Sequence, residues 1–345
     1  MKVVKTLTIL SIITLLLESS VFFALDRYYK STLLNTKTTE VRILDNKKVN
    51  KNVDVFVPND ATKLSASYDC KYISYYENNQ LIVVNTANGV KNTVSLSSGY
   101  SRIYANWLPD IDSIILCEVK SSEKDIIEIY KYNADNNIKQ APTDTNNNPI
   151  KLQLNSERDK IEDIEYSTIM GIFYAKVLKT NGRNYILYND VNGQTTSMLN
   201  SQNIGSIKAF DDKFGFIYED LDNGGIKYSE TKNIVYTENA YLLGIDGNDN
   251  IYIGIGNNNV VTKILYGTME QKSSNWQTIN LNASADKNNI NITAEGKVLI
   301  NNSLEHYILD AESNKKISYS GDFIKVTSSN LIFVSGGKIQ NKQIQ

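Results

Sequence analysis

The chain has 345 residues with 36 basic and 38 acidic side chains, a formal net charge of −2. That balance, with no long Lys/Arg cluster, leaves no basic face for nucleic acid. Once some forty N-terminal residues of non-globular character are set aside, about 300 remain, enough for one large β domain or two small ones. The 22 tyrosines, with abundant Ile, Val and Thr, favour strands over helices. Arginine occurs only at positions 27, 42, 102, 158 and 183, while Asn and Lys abound, the bias of an AT-rich bacterial genome. The two cysteines, Cys70 and Cys117, are too few for a disulfide-dependent secreted fold. Nor does a domain of this size need such staples.

Lys2 and Lys5 precede an apolar run from Thr6 to Leu25, roughly the 20 residues that a spanning helix requires. Glu18 interrupts it, so the purely apolar core, Leu7–Leu17, is close to the apolar region of a signal peptide. A cleaved signal needs small residues at −3 and −1, and the best site, ending at Ala24, has Phe22 at −3. The favoured reading is an uncleaved signal anchor over residues 6–25, with residues 1–5 cytoplasmic and the C-terminal mass exported. Glu18 is read as hydrated near the outer interface, or as a contact to a partner helix. No cysteine follows the run, which excludes a lipoprotein anchor. Residues 26–40 are polar and read as a tether to an extracytoplasmic domain over 41–345.

From residue 41 onward, alternating apolar runs of four to seven residues are punctuated by Asn, Asp or Gly. The clearest unit spans Leu64–Leu96. It comprises a strand at Leu64–Ser67, a turn at Tyr68–Lys71, and strands at Tyr72–Tyr76, Leu81–Asn85 and Thr93–Leu96, with turns at Asn78–Asn79 and Asn88–Gly89. Asn-rich turns supply the positive φ that tight hairpins need. Four short antiparallel strands joined in this way make a propeller blade. The second strand recurs at Tyr72–Tyr76, Ser113–Cys117, Ile172–Ala175, Gly215–Tyr218, Asn250–Ile253, Lys297–Ile300 and Asn330–Val334. The spacing is near 40 residues, the length of a propeller repeat.

The fold expected is therefore all-β, a propeller of six or seven four-stranded blades preceded by one transmembrane helix. Two β-sandwiches are the runner-up. Ala134–Leu154, with Asn146-Asn147-Asn148-Pro149, reads as a polar insertion without pattern, and Ser156–Glu165 as briefly helical or a loop. The last repeat, Phe323–Ile339, is one strand short, and Val41–Val57 has strand-like runs without a blade. Pairing the two termini in one blade would close the ring and remove both sheet edges.

The segment Leu64-Ser-Ala-Ser-Tyr-Asp-Cys-Lys-Tyr-Ile-Ser-Tyr resembles the repeat of TolB-like and dipeptidyl-peptidase-IV-N-terminal-like propellers, in which Ser-Pro-Asp-Gly-Lys precedes a strand. Ser67, Asp69, Lys71, Tyr72 and Ile73 match, whereas Tyr68 and Cys70 replace the Pro and Gly. Asn106-Trp107-Leu108-Pro109-Asp110 is similar to the Trp-Ser-Pro-Asp form of that repeat. Gly244-Ile-Asp-Gly-Asn-Asp-Asn-Ile-Tyr-Ile resembles a related turn–strand unit. The resemblance implies a propeller over most of residues 61–340 and a role in binding proteins or ligands, although fold alone does not fix function.

No catalytic, cofactor or metal residue is assigned. His306 is the lone histidine, so a zinc site or Ser-His-Asp triad would rest on it alone, and a surface or satisfied strand residue is the simpler reading. There is no Gly-x-Ser-x-Gly elbow and no sialidase-type Asp box. Candidate acids for a glycosidase are Asp110, Asp112, Asp211, Asp212, Glu219, Asp220, Asp222, Asp246 and Asp249, nearly all at predicted turns, where Asp is favoured locally. Glu219-Asp-Leu-Asp-Asn-Gly lacks EF-hand spacing and reads as a solvated hairpin tip. Gly336-Gly337-Lys338 reads as a β-turn rather than a P-loop. Trp107 and Trp276 are core or rim aromatics.

The function expected is a non-catalytic binding or assembly platform, anchored in a bacterial cell membrane. Its partner would be an envelope protein or polysaccharide machinery, contacted through the central-channel face and the 134–154 insertion. A glycan-acting enzyme and a ligand-binding sensor are the alternatives.

Overall fold

The computed structural model describes residues 54–344 except 145–146, 168, 190–194, 232–233 and 238. The predicted span, the tether and most of Val41–Val57 lie outside the described residues. Among the described residues no helix is long and apolar enough to cross a membrane.

The described strands form seven separate antiparallel sheets, so the domain is a seven-bladed propeller and the two-sandwich reading is overturned. Blade 1 runs Thr62–Ala66, Tyr72–Glu77, Gln80–Asn85 and Lys91–Val94, in that spatial order. The seven second strands are Tyr72–Glu77, Ser113–Lys120, Ile172–Leu178, Phe216–Asp220, Ile251–Asn257, Val298–Asn302 and Asn330–Ser335. Each coincides with a recurrence expected from the sequence. These strands are largely buried because both faces pack: the second strand of blade 4, Phe216–Asp220, is buried at every position.

Seven apolar clusters fill the seven seams between adjacent blades. Tyr72, Leu81 and Val83 of blade 1 meet Trp107, Ile114 and Leu116 of blade 2, and Leu299 and Ile308 of blade 6 meet Leu331 and Phe333 of blade 7. A flat sheet with two apolar faces cannot be stable alone, so stacking in a ring is what buries both.

The last seam joins blade 7 to blade 1, with Ile332 packed on Ile73, Tyr75 and Val84. Blade 7 has three strands of its own, Asp322–Val326, Asn330–Ser335 and Lys338–Gln343. Its fourth position is taken by the start of the described chain. Phe56 pairs antiparallel with Lys338, Val57 N donates to Gly337 O at 2.9 Å, and Ile339 N donates to Val55 O at 2.8 Å. The Gly336-Gly337-Lys338 turn, with both glycines at positive φ, therefore sits at the closure.

Two sequence expectations need correction. Ser156–Glu165 is neither helix nor plain loop, because Lys160–Ser167 is the inner strand of blade 3. The 134–154 segment is not a patternless insertion. Ile138–Gln140 is the fourth strand of blade 2, and Lys151–Gln153 adds to the free side of that blade's third strand. Ile150, Leu152 and Leu154 are buried in the seam with blade 3, which explains why so polar a stretch is held down.

The inner strands of six blades share a bulge near the middle, at Thr62/Ser65, Arg102/Tyr104, Ile161/Asp163, Ile204/Ile207, Leu242/Gly244 and Phe323/Lys325. A bulge bends a strand and redirects the side chains beyond it. The residues after these bulges, Glu165, Lys208 and Lys325 among them, line the central channel.

Candidate functional site

The turn between the first and second strands of each blade opens on one end of the channel. In blade 1 this turn carries the signature segment. Ser67 Oγ donates to Asp69 Oδ1 at 2.9 Å, Lys71 N donates to the same oxygen at 2.9 Å, and Tyr72 N donates to Ser67 Oγ at 3.1 Å. Cys70 takes the glycine's place with φ +66°. The turn keeps its hydrogen bonds because Ser67 and Asp69, not the missing Pro and Gly, supply them. Cys70 and Cys117 are free and buried in different seams, and burial pushes the Cys70 thiol up to about 11.

Where these turns converge, the channel widens into a mouth cavity of about 400 Å³ lined from all seven blades. Its floor is apolar, with Ile164, Leu243, Ile292 and Val326, and its rim carries Asp110, Asp211, Asp249 and Glu295. Glu165 of blade 3 and Lys208 of blade 4 form an ion pair in the wall. Burial pushes the Glu165 carboxyl up despite the pull of Lys208. For Lys208, burial opposes its charge, but Glu165 and Asp163 outweigh that and hold the ammonium above its ordinary range. Lys325 of blade 7 has a different fate. Its ammonium donates to Ala66 O at 3.3 Å, and burial pulls its pKa down against the opposing influence of Cys70, Asp69 and Asp112.

The candidate acids do not converge on one point. Asp246 is buried and spent on its own turn, accepting from Asn248 N, Asn250 N and Asn250 Nδ2 at 2.9 Å each and from Tyr252 OH at 3.1 Å. Asp110, Asp211 and Asp249 reach the mouth, whereas Asp112 is buried beside it and Asp212 is exposed next to Asp249. Glu219, Asp220 and Asp222 are at the opposite end of the channel, near the starts of the inner strands.

Residues 221–224 do form an exposed hairpin tip, but Glu219 and Asp220 at its base are buried, each 3% exposed. Asp220 Oδ1 accepts from Asp222 N and Asn223 N, and Asp220 Oδ2 takes Lys227. Those contacts hold the Asp220 carboxyl down at about 2, although burial alone would raise it. Asp222 pairs with Arg183 at 2.5 Å. Glu219 ties two inner strands together, accepting from Ser206 N of blade 4 at 2.9 Å and Leu242 N of blade 5 at 2.7 Å. Room for it depends on Gly205, where a Cβ would lie 2.0 Å from Glu219 Oε2. Gly205→Ala is accordingly expected to lower stability by about 2–4 kcal/mol, by breaking two hydrogen bonds to a buried charge. Urea denaturation would read this loss, and an unchanged midpoint would show that Glu219 is dispensable there.

His306 is in the turn between the second and third strands of blade 6, away from the mouth, with φ +53°. Its ring meets Tyr319 edge-on at 5.6 Å. Trp107 is core: it stacks on Tyr72 at 6.4 Å and donates from Nε1 to Ser74 Oγ at 2.9 Å. Trp276 is core in the seam of blades 4 and 5. Among the described residues no group of three or more His, Cys, Asp or Glu side chains is placed to hold a metal ion.

Sequence reading missed the wall pair Glu165–Lys208 and the buried Lys325. The available signal was a charged residue at an inward position of a strand, but the bulges shift that register and hide it.

The fold is similar to that of an oligogalacturonate lyase solved in complex with manganese, with a TM-score of 0.54 and 10% identity over 83% of this chain and 90% of that one. It is also similar to an oligogalacturonate lyase from Vibrio parahaemolyticus, with a TM-score of 0.53 and 9% identity over 86% of this chain and 93% of that one. A β-propeller domain from Myceliophteria thermophila gives a TM-score of 0.52 and 8% identity over 85% of this chain and all of that one. The likeness is one of fold alone. No family model matches the sequence, and no curated protein matches it.

Proposed function

We propose that this protein is a membrane-anchored extracytoplasmic propeller acting as a non-catalytic binding or assembly platform at the bacterial cell envelope. The observation that carries this reading is the mouth cavity itself. All seven blades contribute to it, its floor is apolar, and several of the acids around it are committed to turns and ion pairs. Such a surface suits recognition of a partner or ligand by shape and a few polar contacts. Anchoring rests on the apolar run at residues 6–25, and the proposed partners are an envelope protein or polysaccharide machinery.

The test is crosslinking and affinity capture of the tagged full-length protein from native membranes, beside a variant with a plugged mouth. Ala294 is exposed at the rim, where its carbonyl accepts from Gly247 N of blade 5 at 2.9 Å, and Ala294→Trp adds a ring at the opening while leaving that backbone bond available. Reproducible recovery of one envelope complex, lost in the variant, is the expected result. Equal recovery with both proteins would remove the mouth from the proposal, and recovery of nothing above background would remove the platform.

One observation favours a second reading, a glycan-acting enzyme. Asp249 reaches the mouth, and burial together with the neighbouring Asp212 raises its carboxyl to about 6, the range of a general acid. Two of the similar structures are oligogalacturonate lyases. Turnover of a glycan by purified protein, abolished by Asp249→Asn, would favour this reading over the platform.

A further inference from the structure

Two of the seven seams are built alike at the mouth end of the channel. Between blades 1 and 2, Asp112 in the first turn of blade 2 lies within hydrogen-bonding reach of Asp69 in the first turn of blade 1. Lys71 extends from blade 1 to Asp135 in the third turn of blade 2, with its ammonium 3.8 Å from Asp112 Oδ2. Between blades 4 and 5, Asp249 in the first turn of blade 5 lies within the same reach of Asp212 in the first turn of blade 4. Lys213 extends from blade 4 to Glu270 in the third turn of blade 5, 2.8 Å away, and stands 3.5 Å from Asp249 Oδ2. Each seam thus holds an acid pair from consecutive blades, a third acid, and a lysine drawn mainly to the third acid; the first seam is faced by Lys325 of blade 7 as well.

Carboxylates outnumber ammonium groups in both seams, three to two at the first, where Lys325 also faces Asp69 and Asp112, and three to one at the second. Repulsion is costliest at the first seam, where Asp112 is buried, because Asp212 and Glu270 of the second seam are exposed and water screens them. Asp112 is 8% exposed, and its Oδ1 is buried with no hydrogen-bond partner. Carboxylate oxygens only accept, so two of them in contact repel, whereas one proton on either turns the contact into a hydrogen bond.

We propose that both seams are proton-operated, with one proton shared within Asp69–Asp112 and one within Asp212–Asp249, so that mild acid tightens the propeller around its mouth. The electrostatics agree. Burial, reinforced by Asp69 against the opposing Ser67 hydroxyl, lifts Asp112 to about 6. Burial and then Asp212 do the same for Asp249. The other titratable groups facing Asp112 are Tyr68, Cys70, Lys71, Asp135 and Lys325. Those at the second seam are Lys213 and Glu270.

The sign follows from linkage. A carboxyl that holds its proton more tightly when folded than when unfolded adds stability that is fully present below the unfolded value, near 4. That stability is lost as pH rises through about 6. Two pH units of displacement set an upper bound on the order of a hundredfold in the folding constant for each pair. The depressed carboxyls of Asp220 and Glu270, both near 2, act in the opposite direction but only below about pH 4.5. Glu165 also titrates upward, so it is left intact in every variant.

The test uses full-length protein in detergent, with thermal melts at about pH 7.5 and about pH 5. Wild type is expected to melt at least about 3 °C higher at the lower pH. Asp112→Asn with Asp249→Asn should raise the melting temperature at pH 7.5, because an amide can donate where the carboxylate could not, and should remove most of the gain on acidification. A wild-type melt independent of pH overturns the proposal, as does a double variant that keeps the full gain. A calcium-dependent rise in the melt at pH 7.5 that disappears in Asp112→Asn would also overturn it, by assigning the first seam to a cation. Isotope-edited infrared spectra of aspartate-labelled protein give a readout independent of stability: a protonated carboxyl band growing in near pH 6 and reduced in each single variant. Its absence from wild type excludes the shared proton.

Discussion

Replacing Glu118 with Ala is expected to destabilise the propeller by about 3–5 kcal/mol, through the two cations it leaves behind. Glu118 is fully buried on the second strand of blade 2. Arg102, from the inner strand of the same blade, grips Glu118 Oε1 through Nε at 3.1 Å and Nη2 at 2.7 Å. Lys139, from the fourth strand, reaches Glu118 Oε2 at 2.6 Å. The side chains of Arg102 and Lys139 are only 5% and 11% exposed, so neither charge can turn to water when its partner is removed. Both cations also donate to Ser95 O of blade 1, so the triad fastens one blade to the next. Chemical denaturation should show a lower midpoint for Glu118→Ala, and Glu118→Gln should fall between that variant and wild type because it keeps the acceptor but not the charge. Combining Glu118→Met with Arg102→Met and Lys139→Met should recover much of the loss, since apolar residues of similar volume need no charge partner. A single-variant loss below about 1 kcal/mol, the scale of an exposed pair, would show that water reaches the triad.

The ring was legible because its signal is repetitive. Each second strand carries a run such as Ile172–Ala175 or Lys297–Ile300, and all seven runs are second strands of blades. Buried from both sides, such a strand must be apolar at successive positions, and that constraint survives any change in the turns. The mouth was much less legible. Glu165 and Lys208 face the channel only because bulges at Ile161/Asp163 and Ile204/Ile207 shift the alternation, and nothing in a single sequence marks a bulge. The turn acids were correctly read as turn formers, yet pairs such as Asp212 and Asp249 meet only when consecutive blades stack, 37 positions apart in the chain. The fourth strand of blade 2 escaped notice because Ile138–Gln140 has three residues and pairs with one edge only.

Deleting residues 41–57 is the other change expected to have a large effect, because the ring is closed by the chain's own early segment. Val55 is 3% exposed and packs in the seam between blades 7 and 1. Losing it forfeits roughly 1.5–3 kcal/mol of burial. The two backbone bonds across Phe56–Lys338 add about 1 kcal/mol each. The ion pair of Asp54 with Lys338, at 2.7 Å, is exposed and adds little. Without the segment, Lys338–Gln343 becomes an open edge strand with unpaired amide and carbonyl groups, a template for pairing with another chain. The full-length protein lacking 41–57 should therefore melt about 10 °C lower or more, and associate at concentrations where wild type does not. Val57→Pro isolates part of the effect, since it removes only the donor to Gly337 O and should lower stability by about 1–3 kcal/mol. A truncated protein that melts with wild type would mean that the seam packing of Ile332 against Ile73 and Val84 holds the ring shut without help. The intermediate result, a large loss on deletion with none for Val57→Pro, would assign the closure to the buried Val55 side chain rather than to strand pairing.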